Sequence, residues 1–148
     1  MRCLSEVNRV EFRFRYPLRV RVRDLNYGGH VGNDVVLAYF QEGRVEYLRN
    51  LGDFSEMDIG GCGMILPEAH IHYRAEMFSG DELELFVRIS EIGRSSLRME
   101  YRLERAGQTT AEGWTSLVAF DYRRRKVVRL PRDFVQAVRA FERMEVGV

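Results

Sequence analysis

Residues 29–48 read GHVGNDVVLAYFQEGRVEYL. Two glycines and a histidine give way to a long stretch with helical spacing. Asn33 is a good N-cap, Asp34 suits the positive end of a helix dipole, and Gly52 suits the C-cap. A helix is therefore predicted over Asp34–Leu51. Its apolar residues Val36, Leu37, Phe40, Val45, Leu48 and Leu51 wrap much of the circumference, which implies cover on more than one side.

Upstream, from Val10 to Val22, the even positions are all apolar or aromatic, while the odd ones carry Glu11, Arg13, Arg15, Pro17, Arg19 and Arg21. Period-two alternation marks a strand with one buried face, and Pro17 implies a bulge, break or edge. Downstream the alternation returns in four runs: Ala69 to Ala75, Leu83 to Ile89, Leu97 to Leu103, and Trp114 to Tyr122. SGD, GRSS and RAGQ separate these runs, and all three are turn chemistry. Pro131 then opens a C-terminal helix through Met144. One long helix against one curved antiparallel sheet is the economical packing, an α+β domain spanning residues 1–148.

The 148 residues fit one domain, which at this size buries roughly 68–70% of its unfolded surface. With 45% hydrophobic and 30% charged residues, the chain has the composition of a soluble globular protein. No apolar run approaches the ~18–20 residues that span a bilayer. The opening MRCLSEVNRVEF is broken by Glu6, Asn8, Arg9 and Glu11, so no signal peptide is expected. Cys3 and Cys62 form neither a disulfide framework nor a metal spacing, and the expected location is cytoplasmic. A net charge of +1 argues against nucleic acid and anionic membrane as partners, although 22 of the 23 basic residues are arginine and only Lys126 is lysine.

GHVGN ahead of a helix containing FQEGRVEYL resembles the hotdog-fold acyl-CoA thioesterases of the 4-hydroxybenzoyl-CoA thioesterase type. Asp24, Gly29, His30, Val31 and Asn33 match the family's turn; Glu42 and Arg44 match its helix. The stretch YRAEMFSGDELELFVRISEIGRSSLRMEYRL resembles its central hairpins. The resemblance implies a long central helix wrapped by a curved antiparallel sheet. It also implies a homodimer or homotetramer with sites at subunit junctions, and coenzyme A as part of the substrate with no separate cofactor. One departure is chemical: the family's working aspartate falls on Asn26, and an amide can neither take a proton from water nor attack as a carboxylate. Gly32 also replaces an asparagine.

Thioester hydrolysis needs a polarised carbonyl and an activated water. Free N–H groups at the helix start suit the first need, with the resemblance putting a donor at Asn33, Gly29 a second candidate backbone donor, and Gly28 and Gly29 allowing close approach. Three carboxylates compete for the second: Asp34 first, as the one beside the proposed oxyanion site, then Asp24 and Glu42. Asp24 is two residues from Asn26, whereas Glu42 lies roughly 12 Å along the axis from Asp34. His30 and the Asn26 amide are candidates to orient water or thioester. Arg94, Ser95 and Ser96, with the RRRK run at 123–126, are candidates for the phosphates of coenzyme A, although a solvated hairpin turn is the better reading of that run. His70 and His72 share a strand face, but no further ligand pattern completes a metal site. Three rivals stand beside hydrolysis: an enoyl-thioester hydratase or dehydratase using His30 and Glu42, a non-catalytic acyl-CoA binder, and, more weakly, nucleic-acid binding through the arginine stripe of the first strand.

Overall fold

The structure is a computed structural model and describes residues 12–144. Val10, Glu11 and Cys3, which figure in the readings above, lie outside the described residues. The elements run β1 (Phe14–Arg19), a 3₁₀ turn (Val22–Asp24), α1 (Asn33–Leu51), β2 (Gly63–Tyr73), β3 (Glu82–Ile92), β4 (Ser96–Arg105), β5 (Gln108–Asp121), β6 (Lys126–Val127) and α2 (Arg132–Glu142). The strands pair antiparallel in the order β1-β3-β4-β5-β2, with β6 on β5. The four downstream runs fall on strands except for their last members Ala75 and Tyr122, which lie just beyond β2 and β5, and SGD, GRSS and RAGQ mark strand ends. Pro17 sits on β1, an edge strand, where its missing N–H costs no ladder bond.

α1 packs on β3 along one seam. A methyl group at Gly43 would come within 2.2 Å of Leu85 Cδ2, so only glycine lets the helix approach this closely. Phe40 stacks on Tyr101 of β4 with centroids 4.5 Å apart. Buried Arg44 then ties helix to sheet and loop: it pairs with Glu56 and donates to the Tyr101 hydroxyl, which contacts Thr115 Oγ1 at 2.7 Å. α2 closes one end through Phe134 against Phe54 and Phe141 against Tyr47. Burial takes in Val36, Tyr39, Phe40, Gly43, Arg44, Tyr47 and Leu48, while Leu37 stays exposed.

The helix begins one residue earlier than expected. Gly32, not Asn33, is the N-cap, and Asn33 is the first helical residue. Gly32 takes the extended N-cap conformation (φ −67°, ψ 149°) and, lacking a side chain, makes no side-chain cap bond.

Candidate active site

Residues 25–31 form a small hairpin ahead of α1. Leu25 bridges Val31, Asn26 N–H donates to His30 O at 2.9 Å, and Tyr27 stands fully exposed at the tip. Asn26 Oδ1 accepts from Gly28 N–H at 2.8 Å, so the side chain first organises its own turn. Its Nδ2 is left as a donor. Gly29 has φ +78°, the left-handed conformation that favours glycine. Its N–H donates to Asn26 O at 3.1 Å, which corrects the expectation that Gly29 offers a backbone donor.

The segment then locks onto the helix. Val31 N–H donates to Met77 O, Gly32 N–H to Asp24 O, and Val35 N–H to Gly32 O. Among the described residues, no hydrogen bond engages the N–H groups of Asn33 and Asp34. These are orphan donors of a helix start, with the positive end of the dipole behind them. The Asn33 carbonyl, by contrast, accepts a 2.8 Å bond from the Tyr73 hydroxyl.

The three carboxylates separate cleanly. Asp24 Oδ2 accepts from Tyr39 OH at 2.7 Å and from Arg21 N–H at 2.9 Å, a structural engagement that holds the 3₁₀ turn to α1. Burial, then the Asp24 carboxylate, pushes the Tyr39 phenol well above its ordinary value, so it stays a donor. Glu42 is exposed and faces β1, accepting from Tyr16 OH at 3.4 Å. Asp34 is exposed, and its carboxylate makes no hydrogen bond or ion pair among the described residues. Its Oδ1 lies 2.7 Å, and Asn26 Cβ 3.7 Å, from one point, the Cβ position of Gly32. Asp34 therefore stands beside the residue that occupies the aspartate position of the 4-hydroxybenzoyl-CoA thioesterase pattern.

His30 is half-buried, with Nδ1 3.2 Å from Val31 O; donating there leaves Nε2 as an acceptor. Nε2 lies 3.1 Å, and Asn26 Oδ1 3.2 Å, from the Cβ position of Gly28. Asn26, His30 and Asp34 thus share the mouth of α1, and Asp24 supports it from behind.

This geometry accompanies a match in sequence: the profile of the thioesterase-like superfamily covers residues 20–138. The chain belongs to that family. A thioesterase from Thermus thermophilus, solved with coenzyme A and Zn, superposes with TM-score 0.81 at 30% identity, covering 92% of this chain and 98% of that one. Acyl-CoA thioesterase YbgC of Haemophilus influenzae is 25% identical over 123 residues, 81% of this chain and 90% of that protein. A putative esterase of Synechocystis is 27% identical over 126 residues, 83% of this chain and 76% of that protein. The fold is the hotdog fold of these thioesterases, and the chain is a member of a family of thioester hydrolases.

Arg94, Ser95 and Ser96 are not brought to this site. They form the β3–β4 turn, tied by Leu130 N–H to Arg94 O and Ala119 N–H to Ser95 O. Strand register puts that turn beside Val118, whereas Tyr73, next to Asn33, pairs with Ala111. The two lie at opposite ends of the sheet, along a helix about 28 Å long. There Arg94 joins Arg129, Arg132 and Arg139 in an open cavity of about 910 Å³ whose lining includes no acidic side chain. The three later arginines escaped the sequence reading because they converge only once α2 folds back. The RRRK run sits at the β5–β6 turn, with Arg124 beside Asp121 and Arg125 over the Phe120 ring. His70 stacks on Trp114 at 4.2 Å and contacts Glu68; no group of three or more potential ligands that could hold a metal occurs among the described residues. Among the described residues, no helix is long and apolar enough to cross a membrane.

Sequence reasoning also missed Tyr39 and Tyr73. Tyr73 stands in the apolar alternation of the Ala69–Ala75 run and Tyr39 lies outside the apolar residues named for the helix, so neither hydroxyl is assigned a partner there.

Proposed function

We propose that this chain hydrolyses an acyl-CoA thioester to the free acid and coenzyme A, with Asp34 as general base. The carrying observation is the position of the Asp34 carboxylate, unengaged and beside Asn26 at the mouth of α1. Asp34 takes a proton from water as the water oxygen attacks the thioester carbon. The carbonyl oxygen, now an oxyanion, lies against the free N–H groups of Asn33 and Asp34. Collapse breaks the C–S bond, and the proton on Asp34 passes to the departing thiolate. Asn26, through Nδ2, and His30, through Nε2, orient water and thioester.

The arginine cavity suits the phosphates of coenzyme A, which want guanidinium forks. Because it lies at the far end of the same sheet, the arginines of one copy serve the α1 start of another. A homodimer or homotetramer follows, with each chain acting as one domain over residues 1–148 in the cytoplasm. The exposed Tyr27, Leu37, Tyr73 and Phe78 give the partner copy or the acyl group an apolar surface. A hydratase using His30 and Glu42 is disfavoured, since Glu42 sits two helical turns beyond the mouth and engages Tyr16. Thiol release over a panel of acyl-CoA and acyl-carrier thioesters tests the proposal. Tight binding with no release across the panel would overturn it in favour of a non-catalytic binder.

A further inference from the structure

We propose that Tyr73 is a positioning residue that polarises the Asn33–Asp34 peptide and so strengthens the Asp34 N–H as an oxyanion donor. This inference rests on the thioesterase reading above.

Tyr73 is the last residue of β2, and its hydroxyl donates to Asn33 O at 2.8 Å across 40 positions of sequence. Its side chain is 53% exposed, so burial does not force the phenol to find this partner. The chain just after it is fixed: Arg74 and Ala75 both donate their N–H to Thr110 O, and Met77 O accepts from Val31 N–H. Tyr73 and Met77 therefore bracket Gly32, one gripping the residue after the cap and the other the residue before. The tail of β2 sets where the helix starts and how its first peptide is aimed.

The Asn33 carbonyl and the Asp34 N–H are the two ends of one amide. A donor on the carbonyl draws charge through the amide and makes the N–H a stronger donor, by roughly 10–30% per bond. The Asp34 N–H is one of the two unengaged donors at the mouth, so the gain falls where an oxyanion forms. In a helix the Asn33 carbonyl also faces the N–H of Leu37, so loss of the phenol leaves no orphaned acceptor. A phenylalanine at this position should fold.

The test compares wild type with Tyr73→Phe and with 3,5-difluorotyrosine placed at 73. In Tyr73→Phe, kcat is expected to fall about threefold to tenfold with KM within about twofold, as for partial weakening of one oxyanion donor. The Asp34 amide nitrogen and Asn33 carbonyl carbon should both move upfield in the NMR spectrum. Difluorotyrosine, a stronger donor while neutral, should raise kcat at low pH and lose that gain where its phenol ionises. A merely structural tyrosine would give neither the gain nor the inflection. Unchanged kcat together with an unmoved Asp34 nitrogen would overturn the proposal. If Tyr73→Phe fails to fold, the near-isosteric difluorotyrosine protein still decides through its pH profile and NMR shifts. If wild type releases no thiol but the Asp34 nitrogen still moves, the hydrolase reading falls and the polarisation stands.

Discussion

Tyr39 and Asp24 meet across 15 residues, the phenol donating to Oδ2 at 2.7 Å from inside α1 to the turn that precedes it. The bond commits Asp24 to architecture and leaves Asp34 as the unengaged carboxylate of the mouth. Tyr39→Phe should destabilise the fold by about 1.5–3 kcal/mol, the range for a hydrogen bond to a charged group. Chemical denaturation of the two proteins measures it.

The division of labour between the carboxylates is directly testable. Asp34→Asn should reduce kcat by ~10²-fold or more, the worth of a positioned base, with the melting point little changed. Asp24→Asn should instead lower the melting point and keep turnover within about tenfold, since an amide oxygen still accepts from Tyr39 and Arg21. Thiol-release kinetics and thermal melts on both variants separate the roles. Equal losses of kcat would put Asp24 in the chemistry.

The arginine cavity should be felt in binding rather than in chemistry. Arg129→Ala is expected to raise KM for acyl-CoA about tenfold while leaving kcat near wild type, because the lost contact is to a remote phosphate. A truncated acyl-N-acetylcysteamine thioester, which lacks the phosphates, should show no difference. A parallel loss on that substrate would remove the cavity from the binding site.

Arg44 joins helix, loop and sheet at a buried point, so Arg44→Met strands its partners. Breaking such a pair costs about 3–5 kcal/mol, and the lower end applies because the Glu56 side chain is 26% exposed. Urea unfolding reads the change.

Stability should fall as pH rises from about 4.5 to about 7. Burial raises Glu142 to about 7 from 4.5, outweighing the Ile89 N–H, Arg88, Arg13 and Tyr47, which favour its charge. In that window the folded chain holds a proton that the unfolded chain has lost, so unfolding gains on the alkaline side. Above about 7 both states are ionised and the slope ends. Glu142→Gln should flatten the melting-point profile across the same window relative to wild type.

How much of this was legible depended on whether a residue's partner was near in sequence. Leu83, Leu85, Val87 and Ile89 declared β3 by alternation alone, whereas the missing N–H of Pro17 left a bulge, break or edge open, of which the structure shows an edge. The start of α1 differs by one residue because Asn33 has the better cap side chain, whereas the chain reaches helical geometry already at Asn33 with Gly32 as its cap. Tyr73 gave no sign of its role, since its partner is a backbone carbonyl 40 residues away. The separation of Arg94 from Asn26 was equally hidden, being a matter of strand register rather than residue type.

The proline on β1 has a consequence for growth. An edge strand can recruit another strand, yet Pro17 interrupts the donors in the middle of β1. On the other margin Pro67 lies at the irregularity between Ile65 and Glu68, leaving Glu68–Tyr73 as the unbroken rim. Two chains zipped along that rim would show only Pro17-bearing margins to the outside. On such a ribbon both free margins would carry a proline, so further strand addition would meet the same missing donor at either edge.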